Sequence, residues 1–421
     1  MRQLTSLILQ RPALTYSAGN ILNTVVMLLL LPAMLKIDQS AGVVLAKGLL
    51  AAQLTAVLAV YSFPVITPRT LVHEKSASVR RLLLAILKYQ LLMLLLGGLC
   101  LLAIVRNDLN NLHYAICGLL IGYAAVLQWQ WYHISRPSLL IQVLLLLSTR
   151  SLLLLLEGLA MVGELPAHPE PVVVSLLLAI LMLLPTWPTW QEAIRNRRGA
   201  GMSLSKLHGW QLLIKEFGHG RNLFIASLLS AIYTLGPATL VASLNPSGLV
   251  AIQQFDRLRT SLSNLTGMLL NLIYPLLLQH TPQVLAQRFD RTQRWLILPA
   301  LLAASTLLLC SLWLPVDQLG WMEALHINTT TLAIALACAA SASASNVIAL
   351  TFLHPLDNDR PYRSVILTGA LVFVVGGAVV HSAGLAHLTW PIMLAAGLAE
   401  WLILTGLWLV ARRVRAHIVV A

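Results

Sequence analysis

Eight ionisable side chains fall inside strongly apolar runs: Lys47, Lys88, Arg150, Glu157, Asp256, Arg257, Arg259 and Glu400. In a bilayer each costs about 2.5–3.5 kcal/mol at the midplane and needs a partner or water. The chemistry open to them divides by sign. Arginine offers a planar fork of donors that grips a phosphate bidentately, so Arg150 and Arg257, with Lys47 less centrally, are candidates to hold an anionic head group. Asp256, Glu157 and Glu400 are candidates to carry a coupling proton or cation. Five basic against three acidic residues leaves a net positive interior. That balance suits an anionic ligand; mutual neutralisation of the charges for purely structural reasons suits it equally. Lys88, near the end of its run, can snorkel to the surface. Asp256 and Arg259 stand three apart and can pair on one helix. Arg150 and Glu157 share a face but are two turns apart.

Neutral polar residues extend these positions into stripes. Gln253, Asp256/Arg257, Thr260, Asn264, Gly267 and Asn271 recur at three- and four-residue spacing, one line along a helix. Tyr16, Asn20 and Asn23/Thr24 form a shorter line, and Ser227, Ser230 and Thr234 another. A single Asn is helix glue worth roughly 0.6 kcal/mol. Several striped helices together predict a hydrated cavity, in which Asn20, Asn23, Asn264 and Asn271 could hydrogen-bond a polyhydroxylated ligand.

The elements that must position these residues are membrane helices. Of 421 residues, 58% are hydrophobic and only 10% charged, with mean hydropathy +0.80. Soluble domains carry about 25% charged residues, so a soluble or disordered chain is excluded. Twelve apolar runs of about 20 residues, enough for ~30 Å of hydrocarbon, cover 13–35, 41–65, 82–105, 112–132, 139–162, 171–190, 222–243, 248–279, 295–315, 329–354, 365–386 and 391–411. The first reads as a membrane helix, not a cleaved leader. The termini and even-numbered links carry 21 of the 28 Lys and Arg; the odd links carry two, Lys36 and Arg106. Cytoplasmic links hold the basic excess, which predicts both termini in the cytoplasm. The net charge of +13 then labels topology and attracts anionic lipid; there is no compact basic domain for nucleic acid.

The chain reads as an all-α polytopic membrane protein, about twelve transmembrane helices in two six-helix lobes around a central cavity. The lobes are 1–190 and 222–421, joined by a cytoplasmic linker over 191–221. In that linker Leu204, Leu207, Trp210, Leu213 and Phe217 recur at helical spacing, an amphipathic helix on the inner membrane surface. It serves either as a mere connector or as a mechanical coupler. Pro32, Pro237, Pro275 and Pro299 predict kinks, and Gly118 and Gly122 form a GxxxG packing motif. The four cysteines lie in apolar runs, away from any disulfide or metal pattern. No Walker A, H-E-x-x-H or G-x-S-x-G motif is present, and the short odd links leave no room for an external catalytic domain. The expectation is a transporter, with no cofactor, rather than an enzyme.

Several stretches resemble the bacterial Wzx-type O-antigen flippases of the multidrug/oligosaccharidyl-lipid/polysaccharide exporter superfamily. Tyr61-Ser62-Phe63, followed by Arg69, is similar to that family's Tyr-Gly-Phe and basic residue; Gln128-Trp129-Gln130-Trp131-Tyr132 to its Gln-Pro-x-Trp-aromatic pattern. Phe255-Asp256-Arg257-Leu258 resembles its Ala-Asp-Arg-Ile, and Tyr274-Pro275 its Phe-Pro. Trp129 replaces the family's proline, Ser135 its following glycine, and Ile37-Asp38-Gln39-Ser40 its glycine-rich turn. The resemblance implies a multi-pass protein of the bacterial inner membrane. It would move an undecaprenyl-pyrophosphate-linked oligosaccharide to the outer leaflet, beside other polysaccharide-assembly proteins. A drug or metabolite exporter of the same superfamily, which would want an acidic cavity, and a membrane polymerase or ligase are the alternatives.

Overall fold

The computed structural model describes residues 12–67, 76–106, 109–128, 140–163, 170–188, 190–191, 205–244, 248–313, 328–385 and 388–420. Among them the chain is helical, with no strand. It divides into two compact units, Met1–Phe224 and Ile225–Ala421.

The N-terminal unit contains α1 (Pro12–Ile37), α2 (Gln39–Val60), α3 (Ser76–Val105), α4 (Leu112–Leu127), α5 (Leu140–Val162), α6 (Pro171–Leu183) and the first part of α7 (Ser205–Thr234). The remainder of α7, with α8 (Gly236–Leu244), α9 (Leu249–Leu277), α10 (Pro282–Thr292), α11 (Leu298–Ser311), α12 (Thr329–Ile348), α13 (Asp359–Ser382) and α14 (Thr389–Val420), makes up the C-terminal unit. All twelve apolar runs fall on helix for most of their described length. Among the described residues seven helices are long and apolar enough to cross a membrane, eight if the bent pair α7–α8 is one span. Ile21–Ile37, Leu112–Leu127 and Val172–Thr186 are shorter apolar helices.

Caps start several helices where the sequence changes character. The Asp38 carboxylate accepts from the backbone N–H groups of Ser40 and Ala41 at the start of α2, and Asn328 accepts from the Thr331 N–H at the start of α12. These satisfy donors that have no partner within a helix. Prolines act differently by site. The helix runs through Pro32 and Pro275. Gly236-Pro237 marks a 44° bend between α7 and α8. Ahead of Pro299 the helix widens into a π turn, Gln293–Ile297, and α10, this turn and α11 form one span. Such a turn absorbs a ring that would strike the carbonyl four residues back.

Within the N-terminal unit α2 packs most extensively on α4, α1 on α5, and α4 also on α3 and α6. The GxxxG motif explains the first pair. A Cβ at Gly118 would collide with the Leu45 carbonyl, one at Gly48 with the Ala115 carbonyl, and one at Gly122 would lie 2.6 Å from the Ala52 Cβ. Close approach through small residues replaces a hydrophobic driving force that lipid does not supply. In the C-terminal unit α9 packs on α12, and α12 on α11 and α14. Counting spans within each unit, the second packs on the fourth and the fourth on the third and sixth, in both. Small residues again serve the fourth span: Ala335, Ala339, Ser341 and Ala344 are buried on α12.

The apolar stripe of the linker helix meets protein on one face. Leu213 is fully buried in an aromatic and aliphatic core with Ala59, Tyr61, Phe63, Leu83 and Tyr123, and Phe217 packs against it. Trp210 and Ile214 face outward. The apolar stripe thus serves two surfaces, a protein face and an exposed face. Arg69, Trp129 to Ser135, Gly199 to Leu204 and the side chain of Leu207 lie outside the described residues.

Candidate functional site

The charged residues of α9, Asp256, Arg257 and Arg259, lie within one turn of one another. Gln253, Gln254, Asp256, Arg257 and Arg259 are all buried. Arg259 donates through Nη2 to Asp256 Oδ1 at 2.6 Å and through Nη1 to Glu400 Oε1 at 2.8 Å. The first contact is the i,i+3 pair expected from sequence. The second joins α9 to α14 across 141 residues of chain. Arg259 lies ten residues into α9 and Glu400 eleven into α14, each about 15 Å along its helix at 1.5 Å per residue. That is about half of a ~30 Å hydrocarbon layer. Tyr233 on α7, Cys338 on α12 and Tyr362 on α13 all lie within electrostatic reach of Glu400. The ionic cluster thus joins α9 to α14 within the C-terminal unit.

The local reason is geometric. Positions 256 and 259 share a face of α9, and the guanidinium fork is wide enough to serve two carboxylates at once. Charge-assisted bonds of this length repay part of a desolvation cost of several kcal/mol per ion. Thr260 returns its hydroxyl to the Asp256 carbonyl at 2.7 Å, so it adds no donor to the cluster. Ser263 and Thr266 do the same to carbonyls on their own helix.

The other sequence candidates lie on α1, α2, α5 and α9. Arg257 is buried on α9, next in sequence to Asp256. Arg150 and Glu157 are buried on α5 of the N-terminal unit. Arg150 donates through Nη1 to the Leu181 carbonyl at 3.1 Å and through Nη2 to the Met182 carbonyl at 3.3 Å. Leu181 is four residues before Pro185, which has no N–H to close that helical bond. Arg150 supplies the missing donor and caps α6 as it tightens into the turn Leu184–Thr186. Lys47 on α2 and Asn23 on α1 are half-buried. Asn20, Asn264 and Asn271 are on α1 and α9, but their side chains lie outside the described residues.

Two features were not anticipated from sequence. Arg259 is the hub of the cluster, where only its local pairing with Asp256 was legible. At the far end of α12, His354 Nδ1 lies 2.8 Å from Asp359 Oδ1, and the His354 ring meets Tyr362 edge-on at 4.8 Å. This ties the end of the π turn Ala349–Leu353 to the start of α13. Among the described residues no group of three or more His, Cys, Asp or Glu has the geometry to hold a metal ion.

No protein-family model and no curated protein matches the chain. The fold does match a solved structure, the crystal structure of the eukaryotic MATE transporter AtDTX14, with a TM-score of 0.55 at 12% identity over 99% of both chains. The chain is a multi-pass, all-helical membrane protein with a MATE-like fold.

Proposed function

We propose that this protein is an exporter of the multidrug/oligosaccharidyl-lipid/polysaccharide superfamily and, within it, a flippase for an undecaprenyl-pyrophosphate-linked oligosaccharide. It would act by alternating access in the bacterial inner membrane with both termini cytoplasmic, as a transporter and not an enzyme. The superfamily reading is supported by a MATE-like fold over the length of the chain. The choice of cargo rests on one observation: Arg259 engages both Asp256 and Glu400. A pump for organic cations wants carboxylates open to its substrate. Here Asp256 and Glu400, both buried, already engage the Arg259 guanidinium.

The physics of the task suits such a machine. A bare sugar hydroxyl costs several kcal/mol in hydrocarbon and a pyrophosphate far more. A hydrated path lets the head group cross while the lipid tail stays in the bilayer. Arg257 is the foremost candidate for the pyrophosphate, with Lys47 and Arg150 as further cations; Asn20, Asn23, Asn264 and Asn271 are candidates for sugar contacts. A negative-inside potential favours outward movement of an anion by about 2.3 kcal/mol per charge per 100 mV. Asp256 and Glu400, and separately Glu157, remain the candidates for a coupling proton or cation. Lipid-linked intermediates profiled in a deletion strain test the reading. Undecaprenyl-pyrophosphate-linked units should accumulate on the inner leaflet. Unchanged intermediates together with raised sensitivity to cationic drugs would overturn it in favour of a drug exporter.

A further inference from the structure

The Tyr61-Ser62-Phe63 motif has no place in the charge chemistry above, yet the structure builds an elaborate contact around it. Helix α2 stops at Val60, and Tyr61 takes a left-handed backbone, φ 49°. A bulky side chain seldom adopts that region unless its surroundings hold it there. They do so here. The Tyr61 hydroxyl donates to the Phe217 carbonyl at 2.5 Å. Its ring stacks on Phe224 with centroids 4.3 Å apart and lies tilted 4.6 Å from Phe217. Phe63 and Tyr89 close the cluster against the Phe217 ring at 6.0 and 5.2 Å. Gly220 passes so close that a Cβ would collide with Ile66 and sit 2.9 Å from the Tyr61 ring.

All of these partners on the far side belong to the linker half of α7. The boundary between the compact units falls within α7, between Phe224 and Ile225, and the helix runs unbroken across it from Ser205 to Thr234. Its first bend comes only afterwards, at Leu235 to Pro237. A passive connector would need neither a continuous helix nor a strained, buried anchor. We propose that Tyr61 is a positioning residue of the transport cycle: it latches the linker half of α7 to the end of α2, so that α7 transmits displacement of the C-terminal unit to the N-terminal one. The proposal rests on the alternating-access reading but not on the identity of the cargo.

The test uses the purified full-length protein in lipid nanodiscs with no substrate added. The four native cysteines are replaced, and spin labels are attached through Arg106→Cys in the N-terminal unit and Ser382→Cys in the C-terminal unit, both exposed positions. Pulsed dipolar spectroscopy then gives the ratio of distance populations. Tyr61→Phe deletes one oxygen, and Gly220→Ala wedges a methyl into the latch; each should change the ratio at least threefold. Tyr123→Phe is the control, because it deletes an equivalent buried bond, to the Gln90 carbonyl at 2.7 Å, that does not involve α7. It should leave the ratio unchanged. A wild-type distribution in Tyr61→Phe, or an equal change in Tyr123→Phe, overturns the proposal. Unchanged lipid-linked intermediates in the deletion strain would remove the oligosaccharide reading and leave this result standing.

Discussion

Removing the charge of Arg259 should separate the cost of its cluster from its use. Its guanidinium makes bonds of 2.6 and 2.8 Å to Asp256 and Glu400, all three side chains being buried. Arg259→Met leaves two carboxylates together in a low-dielectric interior. Breaking a buried pair costs about 3–5 kcal/mol, a large part of a typical total stability of roughly 5–15 kcal/mol. At about 2–4 °C per kcal/mol for a unit of this size, the unfolding midpoint should fall by roughly 10 °C. Intrinsic tryptophan fluorescence of the detergent-purified protein during heating reads this directly. Adding Asp256→Asn and Glu400→Gln to Arg259→Met replaces the stranded charges by neutral groups and should recover most of the loss. The same triple variant should remain inactive in transport at equal abundance, because the proposed coupling carboxylates are gone. A wild-type midpoint for Arg259→Met, or a triple variant as unstable as the single one, refutes the account of the cluster.

Three other perturbations have distinct outcomes. Arg257→Ala should abolish surface polysaccharide at equal protein level, and Arg257→Lys should keep part of it by retaining charge without the planar fork; full activity of Arg257→Met with Asp256→Asn would exclude a ligand role for Arg257. Gly118→Val drives a side chain into the Leu45 carbonyl and should destabilise by about 1–3 kcal/mol, whereas Gly98→Ala, with nothing within 4 Å, should be neutral or slightly stabilising in the same thermal assay. Asp38 is held below the usual carboxylate range, first by the Ser40 hydroxyl and then by the backbone N–H groups of Ala41 and Ser40. A depressed folded value adds stability above the unfolded value of 3.8 and loses it as pH falls through the folded one. Asp38→Ala should therefore cost roughly 0.5–1 kcal/mol at neutral pH, as for a helix N-cap, and thermal scans should show the difference shrinking as pH falls below 3.8 through the folded value.

Much of this molecule is legible one segment at a time. Hydropathy identifies the membrane runs because the cost of an exposed backbone in lipid leaves a long apolar segment little choice but helix. Lys and Arg counts set an expectation for the sides of the links, the i,i+3 spacing predicts the Asp256–Arg259 pair, and Gly118-x-x-x-Gly122 marks a close crossing. All of these are local in sequence. The partners of buried charges are not. Hydropathy says that Arg150 and Glu400 are costly in a membrane, but not which group on another helix meets them, since that depends on the height and rotation of both helices. Only the tertiary structure brings Glu400 to Arg259 and turns Arg150 to the carbonyl that Pro185 leaves open, although that proline was a readable signal. It alone shows that Leu213 and Phe217 face protein, because an apolar stripe looks the same whether lipid or a neighbouring helix covers it. Tyr61 and Phe217 are 156 residues apart, and no periodicity spans that distance; their contact exists because folding sets the end of α2 beside the helix that crosses from one unit to the other.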